Sequence, residues 1–199
     1  MVLTEHRYSP KYENTKRSGR FCVQFMPFRN DELGMTALNW WRDRCIEWCY
    51  NRREDGKFGD QLYLHDWPER FEGIHVLEHV GGGLAPWNVQ DFDLFETDDG
   101  LQCRMRATGI EGPMVFYHFH RMKIGAERVD FGPFRIDDTT RRLLYGPYLR
   151  RLEAISQRLV DAEDRVLSHG GARLRNNKFD LTRHLLLGSV MPRAELRAL

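Results

Sequence analysis

Two rhythms of apolar and polar positions run along the chain. Phe21-Cys22-Val23-Gln24-Phe25-Met26-Pro27-Phe28 is a short apolar, aromatic run and predicts a buried strand. Asn30-Asp31-Glu32 then supplies a capping side chain and an acidic first turn. Leu33, Ala37, Trp41, Cys45 and Trp48 recur at helical spacing behind it, predicting a helix to about Tyr50 that packs an aromatic face on a sheet. Residues 51–59 are polar and contain glycine, hence a loop, and 60–65 predict a short helix ending before Trp67-Pro68. Ile74 to Leu77 reads as a strand, and Gly81-Gly82-Gly83 opens a turn. The alternation from Asp91 to Arg106 around Asp98-Asp99-Gly100 predicts a hairpin. Met114 to Phe119 predicts a second buried strand with His118 and His120 on one face. From about Thr139 the spacing turns helical, with Leu144, Tyr148, Leu152, Ile155, Leu159 and Ala162 in one stripe that Gly170-Gly171 ends. The expected class is α/β or α+β.

Length and composition narrow the setting. The 199 residues allow one core-bearing domain plus a tail. With 12% aromatic residues, disorder is excluded as a global state. No apolar run approaches the eighteen or so residues of a membrane span, and the first twenty residues lack the apolar core of an export signal. The four cysteines, 22, 45, 49 and 103, therefore read as reduced thiols of a cytoplasmic protein. Cys45 and Cys49, one helical turn apart without a second pair, read as packing rather than metal ligands. A net charge of +1 gives no reason to expect nucleic acid. That average hides 14 basic against 19 acidic residues in 1–120, and 16 against 10 in 121–199. The basic second part reads mainly as a solvated helical surface and leaves room for peripheral contact with an anionic ligand or membrane.

Four groupings carry candidate chemistry. Phe58-Gly59-Asp60-Gln61 turns a carboxylate and a carboxamide toward a cleft, a pair suited to sugar hydroxyls, although Asp60 also reads as a helix cap. Gly81 to Gly83 followed by Leu84-Ala85-Pro86-Trp87-Asn88 lets a ligand approach the backbone beside an indole face, without the following helix that a phosphate-cradling loop needs. His118, five residues before Lys123, suits imidazole on a divalent cation and ammonium on a phosphate; with His120 alone it would need a third ligand to form a zinc site. Asp91-Phe92-Asp93 is formally an Asp-x-Asp, but its setting makes it a chance pair.

The words HRYSPKY, FCVQFMPFRND, CIEWCY, FGDQ-x-YL, LAPWN and VFYHFHRMK occur in an order that resembles the nucleotide-diphospho-sugar glycosyltransferases of GT-A fold, over about residues 3–150. The resemblance implies a partial GT-A fold over residues 1–150, with a mixed sheet flanked by helices, and a basic helical tail over 151–199. It implies transfer of a sugar from a nucleotide-diphosphate-sugar donor to a glycan or lipid-linked acceptor, assisted by Mn²⁺ or Mg²⁺. Asp60 would lie at the reaction centre with Gln61 beside it. His118 would be a metal ligand, Lys123 a contact to the donor diphosphate, and Trp87 and Asn88 would shape the sugar cleft.

The departures from that family set further expectations. The resemblance begins past the family's Asp-x-Asp motif, so the chain is expected to be the C-terminal part of the fold and incomplete as an enzyme. Gln24 stands where a glycine is usual and would crowd the donor side, and Val80 replaces a proline before the glycines. Half a sheet would expose an edge through which copies associate. The alternative reading is a non-catalytic carbohydrate-binding or assembly partner that keeps the face around Asp60 and Trp87.

Overall fold

The computed structural model describes residues 1–163 and 190–199. It is a mixed α/β protein with three small three-stranded sheets. The chain forms two compact units: residues 1–88 with 114–118, and residues 89–113 with 119–199. The expected boundary at residue 150 falls inside a helix.

In the first unit, β1 (Val2–Glu5) is the central strand of its sheet. Helix α1 (Thr15–Ser18) leads into β2 (Phe21–Cys22), which pairs antiparallel to β1 with Thr4 opposite Cys22. The long helix α2 (Glu32–Glu47) follows, then the single turn α3 (Trp67–Arg70) with its proline at the tolerated start. Strand β3 (His75–Val76) returns parallel to β1. Leu3, Phe21, Ala37, Leu64 and Trp67 form the core, ringed by Phe28, Trp40, Trp41 and Phe71. Trp67 stands edge-on to Trp40, Trp41 and Phe71, the arrangement that ring quadrupoles favour.

The cap of α2 is as expected: the Asp31 carboxylate accepts the Gly34 N–H at 2.9 Å. A side chain on Gly34 would put its Cβ 2.0 Å from the Arg29 carbonyl oxygen, so only hydrogen fits where the chain enters the helix. The expected inward stripe holds at Ala37, Trp41 and Trp48 and departs only at its start. Gly34 and Ala37 face inward, whereas Leu33 is half exposed, because capping and entry geometry fix the rotation of the first turn. The expected strand over 21–28 is regular only at Phe21–Cys22. Beyond it the chain curls back, the Thr4 hydroxyl donating to the Phe25 carbonyl and the Val2 N–H to that of Pro27.

The second unit opens with the hairpin β4 (Phe92–Thr97) and β5 (Gly100–Met105), turning at Asp98-Asp99 as expected and extended by β6 (Glu111–Pro113). Asp93 on β4 pairs with Arg106 across the hairpin, while Asp91 ends the short helical turn Val89–Asp91 before it, so the two carboxylates of the Asp-x-Asp do not share a strand. A third sheet joins β7 (Lys123–Ile124), β8 (Arg128–Asp130) and β9 (Val190–Pro192). Helix α4 (Asp138–Thr140), a π-helical stretch at Arg141–Tyr145 and α5 (Gly146–Glu163) run on continuously. The expected end of the stripe at Gly170-Gly171 lies outside the described residues. Helix α6 (Arg193–Ala198) docks on α5, with Glu153 bridging Arg193 and Arg197, so the last ten residues are folded into this unit rather than trailing from it.

Candidate functional site

The parallel strands β1 and β3 pair side by side; the chain beyond β1 leads to His6 and Arg7, and the chain beyond β3 to the glycine grouping. Beyond the carboxyl ends of the strands in an α/β sheet the backbone opens and ligands usually bind. His6 follows β1 and is buried, its Nδ1 donating to the Arg20 carbonyl at 3.2 Å and its ring stacked on Tyr8 with centroids 4.6 Å apart. Gly81-Gly82-Gly83 follows β3. Gly83, at φ +90°, lies against Thr4, Arg7 and Gln24: a Cβ there would approach Gln24 Nε2 to 3.0 Å and Arg7 Nη2 to 3.2 Å. The Thr4 methyl, 2.5 Å from that position, and the Gln24 amide thus occupy the space that Gly83 leaves. Both polar atoms of that amide are shielded from solvent and have no hydrogen-bond partner among the described residues.

Trp87 and Asn88 hold the glycine loop from within. The Trp87 indole N–H donates to the His6 carbonyl at 2.8 Å. Asn88 is fully buried; its amide oxygen accepts the Ala85 N–H at 2.9 Å, and its amide nitrogen donates to the carbonyls of His6 and Gly83 at 2.9 and 3.1 Å. These are fastening roles, in which the side chains fix the backbone of the loop.

The segment 114–118 lies along this loop. Tyr117 bridges in parallel to Leu84, and the His118 N–H donates to the Leu84 carbonyl at 2.8 Å. The expected strand over 114–119 is therefore a single bridge, because its partner is a turn-rich loop and not an extended strand. The His118 ring stands edge-on to Trp87, centroids 5.4 Å apart. His6 and His118 thus flank one indole. Burial pushes His6 down to about 4, with the neighbouring His118 adding to the fall, and burial lowers His118 as well. Both imidazoles are neutral at pH 7. His120 belongs to the second unit, where its ring packs on Phe134, so the two histidines do not share a strand face.

Asp60 and Gln61 sit at the far end of the loop that follows α2. Asp55-Gly56, both at positive φ, make a tight turn that pairs Glu54 with Lys57. The Gly59 N–H closes the loop on the Tyr50 carbonyl at 3.0 Å, and the Trp41 indole donates to the Asp60 carbonyl at 2.8 Å. Asp60 is half-buried. Its charge is felt at Cys22 and Cys45, thiols that burial drives up to about 11 and about 12. Lys123 is exposed on β7 of the second unit.

Neutral His118 is competent as one ligand, but a hard cation such as Mn²⁺ or Mg²⁺ takes about six, mostly oxygen, donors. Among the described residues no three His, Cys, Asp or Glu side chains group as a metal site. The residues around His118 therefore do not fit a complete cation site.

Sequence reasoning missed Arg7 and His6. A buried histidine preceding a non-glycine residue at φ +46° has no periodic signature; only the aromatic word His6-Arg7-Tyr8 marks the place.

No protein-family model matches the chain. No solved structure matches it. Two proteins of Bacillus subtilis (strain 168) are similar to it. One, called uncharacterized protein YfnD, is 32% identical over 160 residues, 77% of this chain and 49% of YfnD. The other, called uncharacterized protein YfnF, is 36% identical over 107 residues, 53% of this chain and 33% of YfnF. The chain thus spans about half the length of the first relative and a third of the second. Among the described residues no helix is long and apolar enough to cross a membrane.

Proposed function

We propose that the chain belongs to the nucleotide-diphospho-sugar glycosyltransferases and supplies the acceptor side of a GT-A fold. In this reading Asp60 is at the reaction centre, Gln61 binds the sugar, and the glycine loop forms one wall of the cleft. The observation that carries it is the closure of three sequence words on one another. The His6 carbonyl takes hydrogen bonds from Trp87 and Asn88, while His118 is bonded through its N–H to Leu84 and packs on Trp87. Words whose meeting residues, His6, Trp87 and His118, lie 31 to 112 residues apart come together around one indole, which supports reading them as one constellation. The carboxylate of Asp60 accepts hydrogen bonds only, and the Gln61 amide both donates and accepts, a complementary pair for sugar hydroxyls.

Donor binding is tested by heating the chain with Mn²⁺ and a panel of nucleoside diphosphates. A ligand held by the native state raises the melting temperature in proportion to its occupancy. A shift for one nucleotide supports the enzyme reading. No shift at millimolar concentration for any nucleotide, together with no sugar transfer by the chain, overturns the enzyme reading. Glycan binding that is lost in Asp60→Ala would then mark a carbohydrate-binding partner.

A further inference from the structure

We infer that the acceptor brought to Asp60 carries negative charge, with phosphate the best-fitting group. This rests on the reading of Asp60 above and names the substrate class of that same site. Residues 1–120 carry more acids than bases, yet the surface leading to Asp60 is locally cationic. The segment of α1 and the loop 50–59 pack together: the Arg53 guanidinium donates to the Lys16 carbonyl, and the Arg17 guanidinium lies over the Phe58 ring, 5.0 Å from its centroid. Arg17 and Arg53 thereby come together where the two segments meet, with Lys16 and Lys57 beside them in the chain.

The neighbouring charges cancel one another. Arg20 pairs with Glu5 and Arg52 with Glu54, so those carboxylates are engaged. Glu13 accepts the Thr15 N–H, and Asp55 occupies the exposed tip of the loop. Among the described residues no ion pair is formed by Lys16, Arg17, Arg53 or Lys57, although the charge of Lys57, three residues ahead of Asp60, is felt at Glu54.

The cations are also held in place. Arg17 rests on Phe58, and the Lys57 ammonium lies 5.7 Å from the Trp48 ring centroid. Stacking uses the flat face of a guanidinium and leaves its edge N–H donors pointing outward, where they fit the oxygens of a phosphate. Such prior ordering lowers the entropy lost on binding. Since Phe58 immediately precedes Gly59-Asp60, and Trp41 pins the Asp60 backbone, the charged loop and the carboxylate share one frame. An acceptor phosphate held here would place its sugar hydroxyl toward Asp60, whereas a neutral acceptor would gain nothing from these charges.

Binding of fluorescently labelled polyphosphate by the whole chain tests this without any donor. The expected result is binding that weakens with salt and falls about tenfold in Arg17→Glu/Arg53→Glu. Arg151→Glu/Arg158→Glu, an equal change of charge on α5, should stay within about twofold. Lys16→Gln/Lys57→Gln, with an unchanged melting temperature, should weaken binding in the same direction and excludes a folding defect. Absence of binding, or equal loss in both reversal pairs, overturns the inference. So does binding to vesicles of phosphatidylcholine with phosphatidylglycerol but not to polyphosphate, which would make the surface a membrane contact. Sugar transfer without polyphosphate binding would sink only this inference. Polyphosphate binding without transfer or a nucleotide effect would sink the enzyme reading and leave the anion site.

Discussion

Acid should destabilise the first unit well before its carboxylates titrate, and His6 is the reason. An unfolded histidine takes up its proton near pH 6.5, while the buried His6 waits until about 4. Between those values the unfolded state binds more protons, so stability falls as the pH is lowered. The slope is about 1.4 kcal/mol per pH unit and the full loss about 3 kcal/mol. Above pH 6.5 the contribution is constant, and below about 4 no more is lost through this group. His118 is shifted in the same direction and steepens the fall. Asp31, held low by the Gly34 N–H, contributes stability that is lost only as the pH falls through its folded value, below the ordinary carboxylate range. The two windows are therefore separable. All five tryptophans, residues 40, 41, 48, 67 and 87, lie in the first unit, so urea melts followed by indole fluorescence report on it alone. His6→Phe keeps a ring against Tyr8 but cannot titrate, and should flatten most of the slope between pH 6.5 and 4.5. A wild-type stability that is level over that window, or an unaltered slope in the variant, would refute the assignment of His6 as a buried neutral imidazole.

Other expectations follow from single contacts. Gly34→Ala should gain about 1 kcal/mol of helix propensity yet lower stability by about 3 kcal/mol or more, because backbone atoms cannot yield to a Cβ 2.0 Å from the Arg29 oxygen; thermal melts decide the sign. Asn88→Ala should cost about 3 kcal/mol, since it leaves a buried N–H and two buried carbonyls with fewer partners; chemical denaturation measures it. At pH 7 a thiol reagent should label exposed Cys49 rapidly, Cys45 slowly, and buried Cys22 and Cys103 only on unfolding, which peptide mapping over time resolves.

The parts of the fold legible in the sequence were those with local causes. The Asp31 cap, the Asp98-Asp99 turn and the start of the C-terminal helix each follow from a few adjacent side chains. The strand at Val2–Glu5 has no such cause: four residues acquire their conformation from partners at 21–22 and 75–76. Apolarity over 21–28 likewise signalled burial correctly for Phe21 but could not reveal the curl that leaves Phe25 half exposed. At the candidate site, the tight turn ahead of Asp60 was legible from Gly59, which has φ +54°. The inward duty of Asn88 was not, since an asparagine after a glycine loop reads alike whether it faces a ligand or three backbone groups. The meeting of Arg17 with Arg53 was hidden by averaging charge over 120 residues, and only the docking of residues 16–17 on 53–58 brings it about.

The route of the chain has a practical consequence for dissecting it. It leaves the first unit after Asn88, returns for residues 114–118 and departs again. A fragment stopping at Asn88 would lack Tyr117 and the His118 N–H, the mates of Leu84. No single cut therefore yields either half intact. Separate production of the first unit calls for a splice joining Asn88 to Met114 through a short linker, and co-expression of simple halves should recover soluble material only as a reassociated pair.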